Sequence, residues 1–257
     1  MRSYYYLAAS LPPLEFPHLP SESFVSLEES LRTNLTQGDQ KQVMALRLFA
    51  DILNIRPLFL AEEIDAKGNL SEKELEEALL HQLFFPSYVF SFLEKYTTLE
   101  DKLAHFPELL TQFFVEESEQ HEGFLRKFFT FEREWRLVLL ALRAKRLQRD
   151  VVQELQFEDP LDPFVLQILM QKDAADYEPP KEYQDVKELF LLHLGDPVLQ
   201  NQALARYRFF KVQEMWEDGA FSLDRILGYL SQVMILEYWN RLDSMRGKMI
   251  LDTFKTS

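Results

Sequence analysis

Residues 124–149 read FLRKFFTFEREWRLVLLALRAKRLQR, and the period of this stretch decides the fold class. Over roughly seven turns at about 3.6 residues each it holds neither Gly nor Pro, and Phe124, Phe128, Phe131, Trp135, Leu139 and Leu142 recur at helical spacing. Apolar on nearly every side, it predicts a long core helix. Glu132, Glu134, Arg136 and Arg143 lie inside it, and a core position holds such charges only when other segments supply partners. Positions 134 and 143 are about 13.5 Å apart along an axis that rises about 1.5 Å per residue. Glu134 therefore cannot pair with Arg143, and each is expected to find its partner in a helix end or a neighbouring chain segment. Arg146 and Arg149 suit the helix C-terminus, where cations meet the negative end of the dipole.

The rest of the composition agrees with long helices. Apolar residues make up 47% of the 257 positions and include 22 Phe, enough surface to bury a substantial core, while 7 Gly against 12 Pro predicts helices joined at Pro-marked corners rather than sheet. With no Cys there are no disulfides, thiolate metal sites or Cys nucleophiles, which fits a reducing compartment. A formal net charge of −14 argues against binding the phosphate backbone of nucleic acid, since that requires a basic face. Partners are expected to be proteins. No apolar run reaches the length of a membrane span, and the double Pro and tyrosines of MRSYYYLAASLPPLEF make a poor signal peptide. The expectation is a cytoplasmic protein.

In chain order, a short helix or strand at 4–10 is broken by Pro12, Pro13, Pro17 and Pro20. Helices are expected over 21–35 and from an Asp39 N-cap to Asn54, the latter with Val43, Leu46, Phe49, Ala50 and Leu53 on one face and with Pro57 kinking or ending it. Ser71 with Glu74 forms a capping box. Pro86 restarts a helix, Thr97 with Glu100 suggests another box, and Pro107 is placed as a first-turn Pro. After the central helix, the acidic and Pro-rich segment 150–188 surrounds one helix beginning at Pro163. Asp196 with Pro197 opens another, and the last long helix begins at Ser222.

The pattern of the central helix recurs. Setting Glu237 against Glu134 also matches Tyr238 with Trp135, Leu242 with Leu139, Met245 with Leu142, Arg246 with Arg143 and Lys248 with Lys145. DILN, from Asp51 to Asn54, matches EYWN, from Glu237 to Asn240. The first copy has Leu60 where the Arg would stand, and the second has Leu137 in place of Asn.

A helix carrying an acid, an Asn or aromatic residue, apolar spacing and then Arg-x-Lys, found three times in an all-helical chain, resembles the C-type central-stalk component of V-type and A-type ATPases. The start YYYLAASLPPL and the Leu-Glu-Glu and Asn-Ile-Arg stretches resemble more specifically a bacterial family encoded within V-type ATP synthase operons, those of chlamydiae included, whose members take the place of that component. The resemblance spans nearly the whole chain. It implies one all-α domain built of three related units, approximately 1–85, 86–160 and 161–257, set as a pseudo-threefold funnel. It also implies a non-catalytic rotor subunit of the central stalk that couples the central-shaft subunits to the membrane proteolipid ring for ion transport. Such a protein needs no cofactor and sits in the cytoplasm, peripherally attached to the inner membrane through the complex.

Motifs of other chemistries are incomplete. Asp65, Asn69, Ser71 and Glu76 imitate a calcium loop, but Lys67 occupies a ligand position and Leu70 stands where the tight turn requires Gly. Glu117 and His121 have the spacing of helical metal ligands, yet the di-metal bundle needs Glu-x-x-His twice. Glu15 and His18 have that spacing with Pro17 between them. No Gly-rich phosphate loop, G-x-S-x-G or H-E-x-x-H is present. The alternatives are a generic acidic helical scaffold or chaperone-like protein, and a helical carboxylate metalloenzyme.

Overall fold

In the computed structural model, residues 4–216 and 221–255 are described for the backbone, and side chains as far as residue 242. Among them the chain is 69% helix with no strand. Thirteen α-helices are described: α1 Tyr5–Ser10, α2 Glu28–Asn34, α3 Gln37–Phe59, α4 Glu72–His81, α5 Ser87–Lys95, α6 Leu99–Ala104, α7 Phe106–Gln120, α8 Gly123–Arg146, α9 Val151–Glu154, α10 Pro163–Leu169, α11 Gln184–Leu192, α12 Pro197–Glu214 and α13 Leu223–Lys255.

The helix starts follow the capping chemistry. Ser71 and Glu74 form their reciprocal box at α4. Asp162 and Asp196 each accept two amide N–H bonds just ahead of a first-turn Pro in α10 and α12. Two expected caps are displaced. Thr98 rather than Thr97 caps α6, accepting from the Asp101 amide. Asp39 is not the N-cap of α3 but its third residue: its carboxylate accepts from the Thr36 amide at 3.1 Å and hydroxyl at 2.6 Å, which closes a capping box around Thr36. The other Asp39 oxygen takes the Tyr4 hydroxyl at 3.0 Å.

Helix α3 also runs past its expected end. It continues through Pro57 to Phe59, and Ala61 turns the chain with a φ of 52°. Leu53, expected on its buried face, is exposed, and Ile52 and Ile55 are buried there instead. The helical period that brings Asp51 inward carries Leu53 out.

The chain divides into two compact units. The first joins residues 1–43 to residues 192–257, and the second is residues 44–191. The expected unit boundaries near 85 and 160 both fall inside the second. In the first unit α12 packs along α13 and α1 against α2. Its core includes Leu7, Phe24, Leu31, Phe209, Leu230 and Trp239. Phe16, from the Pro-rich connector, meets Phe209 at 5.9 Å and Trp239 at 6.4 Å between ring centroids. Gly228 allows a close approach in this unit. A Cβ there would lie 1.9 Å from the Trp216 ring, so the indole rests directly on the backbone of α13.

The second unit is centred on α8, which packs on α7, α9 and α10. A run of rings joins its helices: Phe49 stacks on Phe113 at 5.4 Å, Phe113 meets Phe129 edge-on at 5.3 Å, and Phe124 stacks on Phe128 at 5.6 Å. Such contacts contribute beyond the area they bury. Two of the cations within α8, Arg133 and Arg136, pair with the acidic segment that follows it. Glu158, buried, accepts from Arg133 at 2.8 and 3.1 Å, from the Thr111 hydroxyl at 2.6 Å and from Arg136. Arg133 also reaches Asp162 at 2.9 Å. Burial would raise the Asp162 carboxyl, but Arg133 and the amide groups of α10 prevail and hold it below the ordinary carboxylate range.

One carboxylate shared by two guanidiniums is tightly coupled to the fold, because removing it leaves both cations in a poorly solvated interior. Glu158→Ala is therefore expected to lower the free energy of unfolding by about 3–5 kcal/mol. Urea unfolding followed by circular dichroism measures this, and a loss below about 1 kcal/mol would mean that the network is not holding the unit together.

Candidate functional site

The acid and Asn of the first copy face the loop between α3 and α4. Asp51 is fully buried, and its carboxylate accepts from the Leu70 amide at 3.1 Å and from the Asn69 side chain at 2.7 Å. One turn on, Asn54 both donates to the Asp65 carbonyl at 2.9 Å and accepts from the Asp65 amide at 2.8 Å. One turn back, Arg47 donates to the carbonyls of Lys67 at 3.1 Å and Gly68 at 2.5 Å. A single helix face thus holds a loop at both its ends and its middle. Burial raises the Asp51 carboxyl above the ordinary range, and Asn69, Leu70 and Arg47 oppose that shift without cancelling it.

Gly68 makes this approach possible. A Cβ at that position would stand 2.4 Å from Asp51 Oδ1 and 3.1 Å from Asn54 Nδ2. The loop is also closed to the calcium chemistry that its sequence imitates. Lys67 Nζ pairs with Asp65 at 2.7 Å, and Asn69 donates to Asp51 instead.

The third copy performs the same task in the first unit. Glu237 accepts from the Phe24 amide at 2.7 Å, and Asn240 donates to the Pro17 carbonyl at 3.0 Å. Both bonds land on the irregular segment that precedes α2. Acid and Asn, one turn apart, again receive an N–H and supply an N–H to a connector that has no secondary structure to satisfy it.

The second copy departs from this pattern. Glu134 accepts from the Tyr183 hydroxyl at 2.7 Å, a side chain rather than a loop amide, and burial leads the causes that raise its carboxyl. Leu137, in the place of Asn, is buried. The two halves of Arg-x-Lys also behave differently. Arg143 is exposed, contrary to the expectation that another segment would hold it. Lys145 instead donates to the carbonyls of Gln171, Lys172 and Ala174 at 2.6–2.7 Å, closing the turn beyond α10. Trp135 is buried whereas its expected counterpart Tyr238 is exposed, and the adjacent Trp239 is buried in its stead. Met245, Arg246 and Lys248 lie outside the described side chains.

Elsewhere, Glu117 accepts from the Tyr88 hydroxyl at 3.1 Å and lies 3.1 Å from His121 Nε2. No group of three or more potential metal-ligating His, Cys, Asp or Glu side chains occurs among the described residues. Sequence reasoning missed Arg47, Gly68 and Asn69 as members of the first clamp. The Gly in Asp-Ala-Lys-Gly-Asn was the available signal, since an isolated Gly marks a close backbone approach.

The whole chain, residues 1–257, belongs to the family described as "Protein of unknown function (DUF2764)". It is 30% identical over 262 residues to an "Uncharacterized protein" of Chlamydia muridarum, covering 98% of this chain and 97% of the relative. A Chlamydia trachomatis protein matches to the same extent. A Chlamydia pneumoniae protein is 31% identical over 240 residues, covering 91% of this chain and 90% of that relative. No solved structure matches the chain significantly.

The clamp is testable as a unit. Gly68→Ala is expected to destabilise by about 1–3 kcal/mol through overpacking. In an Asp51→Ala background, where the nearest obstructing oxygen is gone, its cost should fall by at least about 0.5 kcal/mol, the signature of contacting sites. A double-mutant cycle in urea measures the coupling, and strict additivity would contradict the geometry described.

Proposed function

We propose that this protein is the non-catalytic central-stalk subunit of a V-type ATPase or ATP synthase, joining the central-shaft subunits to the membrane proteolipid ring. The observation that carries the reading is the common chemistry of Asp51 with Asn54 and of Glu237 with Asn240. Residues singled out as equivalent by sequence accept from a loop amide and donate to, or exchange bonds with, a loop backbone in the same way. That is what related helical units sharing one ancestor would retain. The three units of the C-type funnel are, on this reading, units of descent centred on α3, α8 and α13, and they need not coincide with the two packing units. The full-length chlamydial relatives are those expected if the chain belongs to the operon-encoded bacterial family it resembles.

The physical role follows from stiffness. A component that transmits torque acts through contacts and must not yield at its connectors. Loops tied down by buried or half-buried carboxylates and Asn side chains remove the compliance that connectors ordinarily introduce. No described helix is long and apolar enough to cross a membrane, so attachment in this reading runs through the ring and shaft. The protein would then lie on the cytoplasmic face and carry no catalytic group of its own.

Inverted membrane vesicles prepared with and without this protein test the proposal. Without it, ATP hydrolysis by the soluble head should persist while ATP-driven ion uptake is lost and the head detaches more readily. Ion uptake at the parental level in its absence would overturn the assignment and favour the scaffold reading.

A further inference from the structure

The corner between α4 and α5 turns on two residues in the left-handed region, and neither is Gly: Gln82 has a φ of 54° and Phe84 one of 70°. The first half of the corner is a helix end of Schellman type, in which the Leu83 amide reaches back to the Ala78 carbonyl at 2.9 Å. In that motif the residue after the left-handed position ordinarily packs an apolar side chain on the last turn of its helix. Leu83 does not, for it is 61% exposed. The second half is tighter. The Phe85 amide donates to the Leu83 carbonyl at 2.8 Å, which with the positive φ of Phe84 makes the three-residue turn that is rare and strained. Phe85 is buried, and the Phe84 ring stands edge-on to it at 5.4 Å while remaining 44% exposed.

Backbone strain of this kind concentrates at functional positions, and what this corner achieves is display. Leu80, 76% exposed, ends the outer face of α4 just ahead of it. Three large apolar side chains within five residues thus meet solvent, where single scattered ones are the rule. The border of the patch is acidic. Glu76 and Glu77 lie one turn back from Leu80 on the exposed face, opposite the buried Leu75 and Ala78. Glu94 of α5 is held at the corner by a 3.3 Å bond from the Gln82 side chain. The one Lys of α4, Lys73, lies 3.8 Å from Glu77 and offsets a single charge. An apolar knob bordered by carboxylates fits an apolar surface bordered by cations. Anionic lipid headgroups would be repelled, and a second copy of this chain would bring the same carboxylates together under a formal net charge of −14.

We propose that the corner between α4 and α5 docks a partner protein through a basic amphipathic helix, whose apolar stripe covers Leu80, Leu83 and Phe84 and whose flanking Lys or Arg residues meet Glu76, Glu77 and Glu94. Such a helix presents apolar side chains at i, i+3, i+4 and i+7 with cations beside them. The chemistry of this surface is the same whether or not the chain belongs to a stalk.

Fluorescence anisotropy on the full chain tests the surface with a labelled helical peptide of Leu, Ala and Lys, about 18 residues long and carrying one Leu stripe. Two controls accompany it: a permutation of the same composition that scatters the Leu residues, and a counterpart with Glu in place of Lys. The striped Lys peptide should bind saturably and both controls at least about tenfold more weakly. Leu83→Ser and Phe84→Gly should each weaken binding at least about tenfold, and the pair Glu76→Gln with Glu77→Gln severalfold. Gly suits the φ of Phe84, so Phe84→Gly should melt within about 4 °C of the parent or above it, separating the loss of binding from any loss of fold. The proposal is overturned if the striped peptide does not bind, if the permuted peptide binds as tightly, or if Leu83→Ser and Phe84→Gly both bind like the parent. A dimer of the parent chain that Leu83→Ser dissociates would assign the face to a second copy, and binding to phosphatidylglycerol vesicles lost in the same variant would assign it to a membrane; either result also overturns it.

Discussion

A carboxylate closed off from water retains its charge only where the chain supplies donors, and the donors within reach of a long helix are the unpaired amides of the loops that pass it. This constraint runs through the molecule. Asp51 takes the Leu70 amide and Asp39 that of Thr36 at the mouth of α3, and the half-buried Glu237 likewise takes that of Phe24. Where no loop amide is at hand, as for Glu158, the donors are two guanidiniums and a hydroxyl. Acids set in the apolar helices thus fix the course of segments that contain no helix themselves. A chain with 7 Gly, 12 Pro and no disulfide obtains definite connectors in this way.

The same arrangement accounts for the asymmetry between stability and order. Burying a charge is unfavourable, and the raised Asp51 carboxyl records that opposition. The benefit lies in specificity, because a loop shifted by one residue would leave the acid without its amide, the Asn without its carbonyl and a Cβ in place of Gly68. Buried polar sets that fix register at some expense of stability are known in other folds. The stalk proposal draws on this property, since a part that transmits torque depends on definite geometry more than on a high melting point.

Helical architecture was legible in the sequence because it depends on local signals: the period of Phe and Leu in α8, the box at Ser71 and Glu74, the Pro163 start of α10 and the Asp196–Pro197 start of α12. The acid and Asn of the first and third copies were legible as a pattern, and their shared role emerged only in space, since their partners lie far along the chain, as Glu237 and Phe24 do. Arg143 and Lys145 show where periodicity fails. They stand two residues apart, so one can point to solvent while the other reaches the turn beyond α10, and no feature of the helix itself distinguishes them. Trp135 and Tyr238 were paired by alignment, yet Trp239 fills the buried place in α13, a shift of one position that changes which face of a helix an aromatic ring occupies. The two-unit packing was likewise hidden, because it joins residues 1–43 to residues 192–257, and proximity of the chain's distant parts leaves no mark in local composition.

Native-state amide hydrogen exchange tests the central claim most directly, that buried and half-buried side chains of the long helices hold the connectors. The amides of Leu70, Asp65 and Phe24 are bonded to side-chain oxygens of Asp51, Asn54 and Glu237, outside any helical ladder. The account predicts that these three amides exchange at least about a hundredfold more slowly than unstructured loop amides, approaching the protection of the helices they are tied to. Exchange of all three at the rate of an open loop would contradict it.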